Sequence, residues 1–218
     1  MRQNRVRRLV FAGLLALTAG ACEETRFATP PGADLADCDP AWKGLWLADD
    51  ASDDRPEGIQ VDAQCRLSVI ETESPGAVPK RTPIALRYAA IAGRKYVVAS
   101  QSALKPLFDL PPPYAIDPPP MDAYFLARYR VSADRIELFR VDNAKVAKLV
   151  IDGKLDGTVS KTDNELHVFV RTNAAGLVDL LKRENIFTDT PGIVALRSHL
   201  DIDALPHAGR SGPPKEAE

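Results

Sequence analysis

The sequence predicts a mainly β protein: an antiparallel barrel or strongly curled sheet of roughly ten strands, with one late α-helix at about 172–185. Three observations carry this. Apolar residues recur with period two in segments such as AYFLARYRV (123–131), CRLSVIE (65–71) and ELHVFVR (165–171), the pattern of strands with one buried face. Short loops rich in Gly, Asn, Asp or Ser separate these segments. Helical periodicity is strongest near the C-terminus, in TNAAGLVDLLKREN.

From the N-terminus, Arg2, Arg5, Arg7 and Arg8 precede the apolar run LVFAGLLAL and the small residues TAGA. Nine apolar residues rise through only about half of a bilayer core. Residues 1–21 therefore read as an export signal rather than a membrane span. Ala19-Gly20-Ala21 suits ordinary signal cleavage. Followed by Cys22, the same residues resemble the lipobox of bacterial lipoproteins. That resemblance implies a diacylglyceryl thioether and an N-acyl chain such as palmitate on Cys22, enough hydrocarbon for stable anchoring. In that family, Glu23 rather than Asp after the cysteine implies the outer membrane, with the protein facing the periplasm.

Cysteine parity points the same way. The chain has three cysteines, Cys22, Cys38 and Cys65, and acylation of Cys22 leaves an even pair for an oxidising compartment. Cys38 and Cys65 are expected to form a structural disulfide. With the four N-terminal arginines set aside, the net charge of -2 becomes -6. Such a chain offers no basic surface for nucleic acid.

Residues 22–37, polar and containing Pro-Pro-Gly, read as a flexible tether. Residues 38–204 form the folded body, and 205–218 form a disordered tail. Within the body the expected strands are Gly44–Leu47, Ile59–Val61, Cys65–Glu71, Pro83–Ala90, Lys95–Ser100, Ala123–Val131, Arg135–Val141, Lys154–Val159, Glu165–Arg171 and Ile193–His199. NAKVAKLVID also breaks the β pattern and reads as a candidate short helix started by Asn143. The late helix is capped by Thr172 or Asn173, buries Leu177, Leu180 and Leu181, and places Lys182 and Arg183 at the negative end of its dipole. Between Lys95–Ser100 and Ala123–Val131 lies LPPPYAIDPPP (110–120). Proline cannot donate to a ladder, so this stretch reads as a loop within the body, with Phe108, Leu110 and Tyr114 touching it.

The segment after Cys38 reads DPAWKGLW. Trp42-x-Gly44-x-Trp46 resembles the motif that opens the first strand of lipocalins and the wider calycin group. In that family the glycine allows close backbone packing at the barrel entry, the tryptophan closes the floor, and an arginine of the last strand packs over it. Arg197 is the matching arginine. The resemblance implies a small apolar ligand such as a fatty acid. Leu67, Val69, Leu86, Tyr88, Phe125 and Tyr129 are the candidate lining, with Tyr114 of the proline loop.

No nucleophile elbow or catalytic base arrangement is present, and the three histidines, His167, His199 and His207, lack zinc-ligand spacing. DDASDD (49–54) reads as a solvated loop. The expectation is therefore a non-enzymatic protein with no metal or cofactor. It binds a small apolar ligand or, with a filled interior, a partner protein of the cell envelope.

Overall fold

The computed structural model describes residues 22–113, 116–162 and 165–201. The segment read as an export signal, Tyr114 and the expected tail lie outside them. Twelve strands form one mixed sheet among the described residues: β1 (Cys22–Phe27), β2 (Gly44–Ala48), β3 (Gly58–Val61), β4 (Leu67–Glu71), β5 (Lys80–Ile84), β6 (Arg87–Ile91), β7 (Arg94–Ser100), β8 (Tyr124–Val131), β9 (Arg135–Phe139), β10 (Gly157–Lys161), β11 (Glu165–Val170) and β12 (Ile193–Ser198). Three helices, α1 (Gln101–Leu104), α2 (Asn143–Ile151) and α3 (Ala174–Arg183), accompany them. Among the described residues, the late helix expected from sequence is α3, the candidate short helix at Asn143 is α2, and α1 was not expected.

Nine strands follow one antiparallel path, β6-β7-β8-β9-β12-β2-β3-β4-β5. The last of them in sequence, β12, returns to pair with the first, β2. No ladder joins β5 to β6 among the described residues, so hydrogen bonding does not close the sheet. Followed ladder by ladder, the alternation of direction makes β5 and β6 run the same way. They are separated only by Ala85 and Leu86. The strand expected at Pro83–Ala90 is therefore interrupted in its middle. Its first half pairs with β4 and its second with β7. Pro83 sits on the edge strand β5, where its missing N–H breaks no ladder bond.

All nine strands contribute to one core, which includes Trp42, Trp46, Val69, Leu86, Phe125 and Ile136. β8 shows why: Phe125, Ala127 and Tyr129 alternate into this core, while Leu126 faces a second one. The second core lies beneath α2 and α3, built from residues such as Phe27, Val168, Leu177 and Leu181.

The expected tether starts instead as a strand. β1 runs parallel to β11 along its full length and meets β8 at Phe27 and Tyr124. Thr25, Arg26 and Phe27 are buried. The parallel pair makes the sheet mixed rather than wholly antiparallel.

The helices obey local rules. The Asp142 carboxylate caps α2 by accepting from the Lys145 N–H at 3.0 Å, one residue before the expected start, and Val146, Ala147 and Leu149 bury its inner face. Asn173 caps α3 through the Gly176 N–H at 2.8 Å.

Candidate functional site

Three features of the first core bear on function: a tryptophan floor, a lid at the opposite end, and a groove along the seam between β5 and β6.

The floor is built from the motif residues. Arg197 lies directly across from Trp46 in the β12–β2 ladder. Its guanidinium carbon stands 4.0 Å from the centre of the Trp46 ring, within cation–π range. Its Nη1 donates to the Lys43 carbonyl at 3.1 Å and its Nε to the Ala133 carbonyl at 2.7 Å. Gly44 has φ of +121°, and a Cβ there would stand 2.7 Å from Arg197 Nη1. Both its backbone shape and the arginine's approach therefore need glycine. The Trp46 indole N–H donates to the Trp42 carbonyl at 2.6 Å, tying the motif's two tryptophans together.

Trp42 packs edge-on to Tyr88 and Tyr129, with ring centres 5.4 and 5.2 Å away. The Tyr129 hydroxyl donates to Asp39 at 2.6 Å, and Lys95 reaches the same carboxylate at 2.8 Å. Burial acts to raise the Asp39 carboxyl, but hydrogen bonds from Lys95, Tyr129 and the Ala41 N–H outweigh it and hold the group below its usual value of 3.8. Burial first, then Asp39, pushes the Tyr129 hydroxyl far up, so it stays a donor at ordinary pH. A depressed native pKa stabilises the fold above the unfolded value and is lost as pH falls through the native one. Asp39→Asn is therefore expected to lower stability at pH 7 and to flatten part of the decline below about pH 4, measured as thermal midpoint against pH.

The lid lies at the other end of the β7–β8 ladder. α1 and residues 105–123 connect Ser100 to Tyr124. Leu104 is fully buried in the first core, and Leu107, Phe108 and Leu110 pack against it. The proline stretch is held at its start by a residue the sequence did not single out. Arg26 of β1, fully buried, donates to the Pro111 carbonyl at 2.6 Å and to Gln101 Oε1 at 3.0 Å, and pairs with Glu24 at 2.8 Å. Gln101 in turn donates to the Leu110 carbonyl at 3.0 Å. At the far end, Asp122 accepts from the Ser102 hydroxyl and amide, drawing the loop closed. His167 is mostly buried and stands 3.1 Å from the other Glu24 oxygen.

The third feature is a groove of about 560 Å³ beside the seam. Leu67, Ile84, Leu86, Tyr88, Ala103 and Pro106 give it an apolar wall, and Asp37, Arg66 and Arg87 stand at its rim. Residues 35–39 cross the seam at one end. Ala36 exchanges two backbone hydrogen bonds with Tyr88, at 2.9 and 2.8 Å, and Asp37 pairs with Arg87 at 2.7 Å. The Cys38–Cys65 disulfide, with its Cα atoms 5.6 Å apart, carries this segment to the start of β4. A covalent link thus spans a gap that no ladder spans. Cys38→Ser with Cys65→Ser is expected to cost about 3–4 kcal/mol by the chain-entropy estimate, seen as a lower denaturant midpoint and faster amide exchange at Tyr88.

No protein family, curated protein or solved structure matches the chain.

Of the sequence-predicted lining residues, Leu67, Leu86 and Tyr88 border the groove. Val69, Phe125 and Tyr129 are buried in the first core with them, and Tyr114 lies outside the described residues. Sequence reasoning missed Ile84, Ala103 and Pro106. They reach the groove only because β5 ends at the seam and α1 folds beside it.

Proposed function

We propose that this chain is an outer-membrane lipoprotein, anchored through Cys22 and facing the periplasm, that binds a small apolar or lipid-like molecule without enzymatic chemistry. The observation that carries the ligand reading is the groove. Its volume falls in the usual range for small-molecule sites, and its wall is apolar where two strand ends leave the sheet unjoined.

A lipocalin-like barrel is the architecture that best accommodates the ladders. Counted as one interrupted strand, Lys80–Ile91 gives an eight-membered ring in sequence order, with β12 returning to β2. The packing of Gly44, Trp46 and Arg197 supports the same reading. Since β1 starts at Cys22, an acylated Cys22 holds the body directly against the membrane instead of on a tether.

The test is native mass spectrometry of the full chain purified from its own cell envelope. One apolar molecule per chain is expected. A bare protein that also fails to respond to apolar fluorescent probes would contradict the reading.

One observation favours a second reading. Trp42, Tyr88 and Tyr129 fill the floor end of the interior with their own rings. In that case the core is inert and the loops recognise an envelope protein. Crosslinking in whole cells separates the two, since only this reading yields a reproducible protein adduct.

A further inference from the structure

The outer face of β7–β9 gathers arginines in adjoining positions. In the β7–β8 register Lys95 pairs with Tyr129 and Tyr96 with Arg128, which sets Arg94 beside Arg130. On β9, Arg130 faces Glu137 and Arg128 faces Phe139. The guanidinium carbons of Arg128 and Arg130 lie 4.4 and 4.6 Å from the centre of the same Phe139 ring, so they are at most about 9 Å apart. Arg135 adds a fourth cation, and Arg130, Arg135, Ser132 and Glu137 line a depression of about 420 Å³.

Compensation is incomplete. Glu137 bonds Arg130 at 3.0 Å, and Asp134 approaches Arg135 at 4.0 Å. Among the described residues no ion pair reaches Arg94 or Arg128. Arg128 has only neutral acceptors at long range, Asn185 Oδ1 at 3.4 Å and the Thr188 carbonyl at 3.3 Å, and its Nε is buried with no acceptor. Burial, then Arg94 and Arg130, lower its hold on its proton, against smaller opposing effects of Tyr96 and Asp189. Like charges at neighbouring cross-strand positions oppose folding, and a guanidinium withdrawn from water without an acceptor is costly. With Glu137 and Asp134 assigned, two positive charges remain.

We propose that Arg94, Arg128, Arg130 and Arg135 form a binding site for a phosphoryl dianion, either inorganic phosphate or a phosphomonoester headgroup. The planar fork of exposed Arg94 matches two oxygens, with Arg128, Arg130 and Arg135 supplying positive charge around it, and a charge near -2 at neutral pH balances what the face leaves over. The site rests on neither the lipid anchor nor the apolar groove.

The test is calorimetric titration of the full chain in detergent micelles at pH 7.5. Inorganic phosphate and glycerol 3-phosphate are the ligands, with acetate at matched ionic strength as the control. Saturable binding of the dianions alone is expected, weakening at high salt as screening grows. Arg94→Gln and Arg128→Gln are each expected to weaken it at least tenfold, and Lys161→Gln on β10 to leave it unchanged. Arg94 is exposed, so its variant keeps the test valid if the Arg128 variant fails to fold. Tighter binding of glycerol 3-phosphate assigns the site to an esterified headgroup. Equal or tighter binding of inorganic phosphate assigns it to the free ion. Binding no stronger than acetate, or unchanged in Arg94→Gln, overturns the proposal.

Discussion

Arg26→Ala is expected to lose about 3–5 kcal/mol of folding stability and to free the lid. Its guanidinium is fully buried and bonds Glu24, Gln101 and the Pro111 carbonyl, while resting 5.3 Å from the centre of the Phe125 ring. Truncation leaves the Glu24 carboxylate buried without its cation, retaining only His167 at 3.1 Å. It also removes the donor that ties the proline loop to β1. Two measurements report the two effects: the denaturant midpoint, and the rate of chymotrypsin cleavage after Phe108 in the lid. The paired replacement Glu24→Leu with Arg26→Met is expected to lose less than Arg26→Ala, because it removes both charges together. A single replacement that unfolds no earlier than wild type would show that the buried pair contributes nothing.

Trp46→Ala is expected to cost about 3–5 kcal/mol, the range for deleting a buried tryptophan. Trp46 is fully buried, holds Arg197 on its face and bonds the Trp42 carbonyl. The loss therefore spreads to β12 and to the Trp42–Tyr88–Tyr129 cluster. Trp46→Phe keeps a ring under Arg197 but leaves the Trp42 carbonyl unpaired, so a smaller loss of about 1–3 kcal/mol is expected. Urea unfolding measures both. A coupling energy near zero between Trp46→Ala and Arg197→Met would contradict the stacked contact.

These two residues mark the limits of what the sequence discloses. Trp46 announces itself: two tryptophans and a glycine at fixed spacing, then a strand pattern. The register that brings Arg197 across from it needs no unusual chemistry, and the period-two segments place most strands within a few residues. Arg26 is hidden by its surroundings. EETRF is polar and follows the segment read as an export signal, so composition argues for a solvated tether. What makes it a strand is tertiary: β11 offers a parallel edge, and the charges of Glu24 and Arg26 satisfy each other away from water. The break at Ala85-Leu86 is equally silent, since Leu86 and Tyr88 continue the alternation of a single strand. Both the seam and the groove come from that break. The arginine face was also unmarked, because Arg128 and Arg130 look like the solvent side of β8 until β7 and β9 are set beside it.

The groove beside the seam is proposed to hold a small apolar ligand. Its most direct test is the titration of a fluorescent fatty acid into the wild-type chain and into Ala103→Trp. Ala103 is half-buried on α1, so a tryptophan there fills the groove without entering the core. Saturable binding of one probe per wild-type chain is expected, lost in Ala103→Trp at an unchanged thermal midpoint. Absence of saturable binding to wild type, or equal binding to both proteins, would contradict the account.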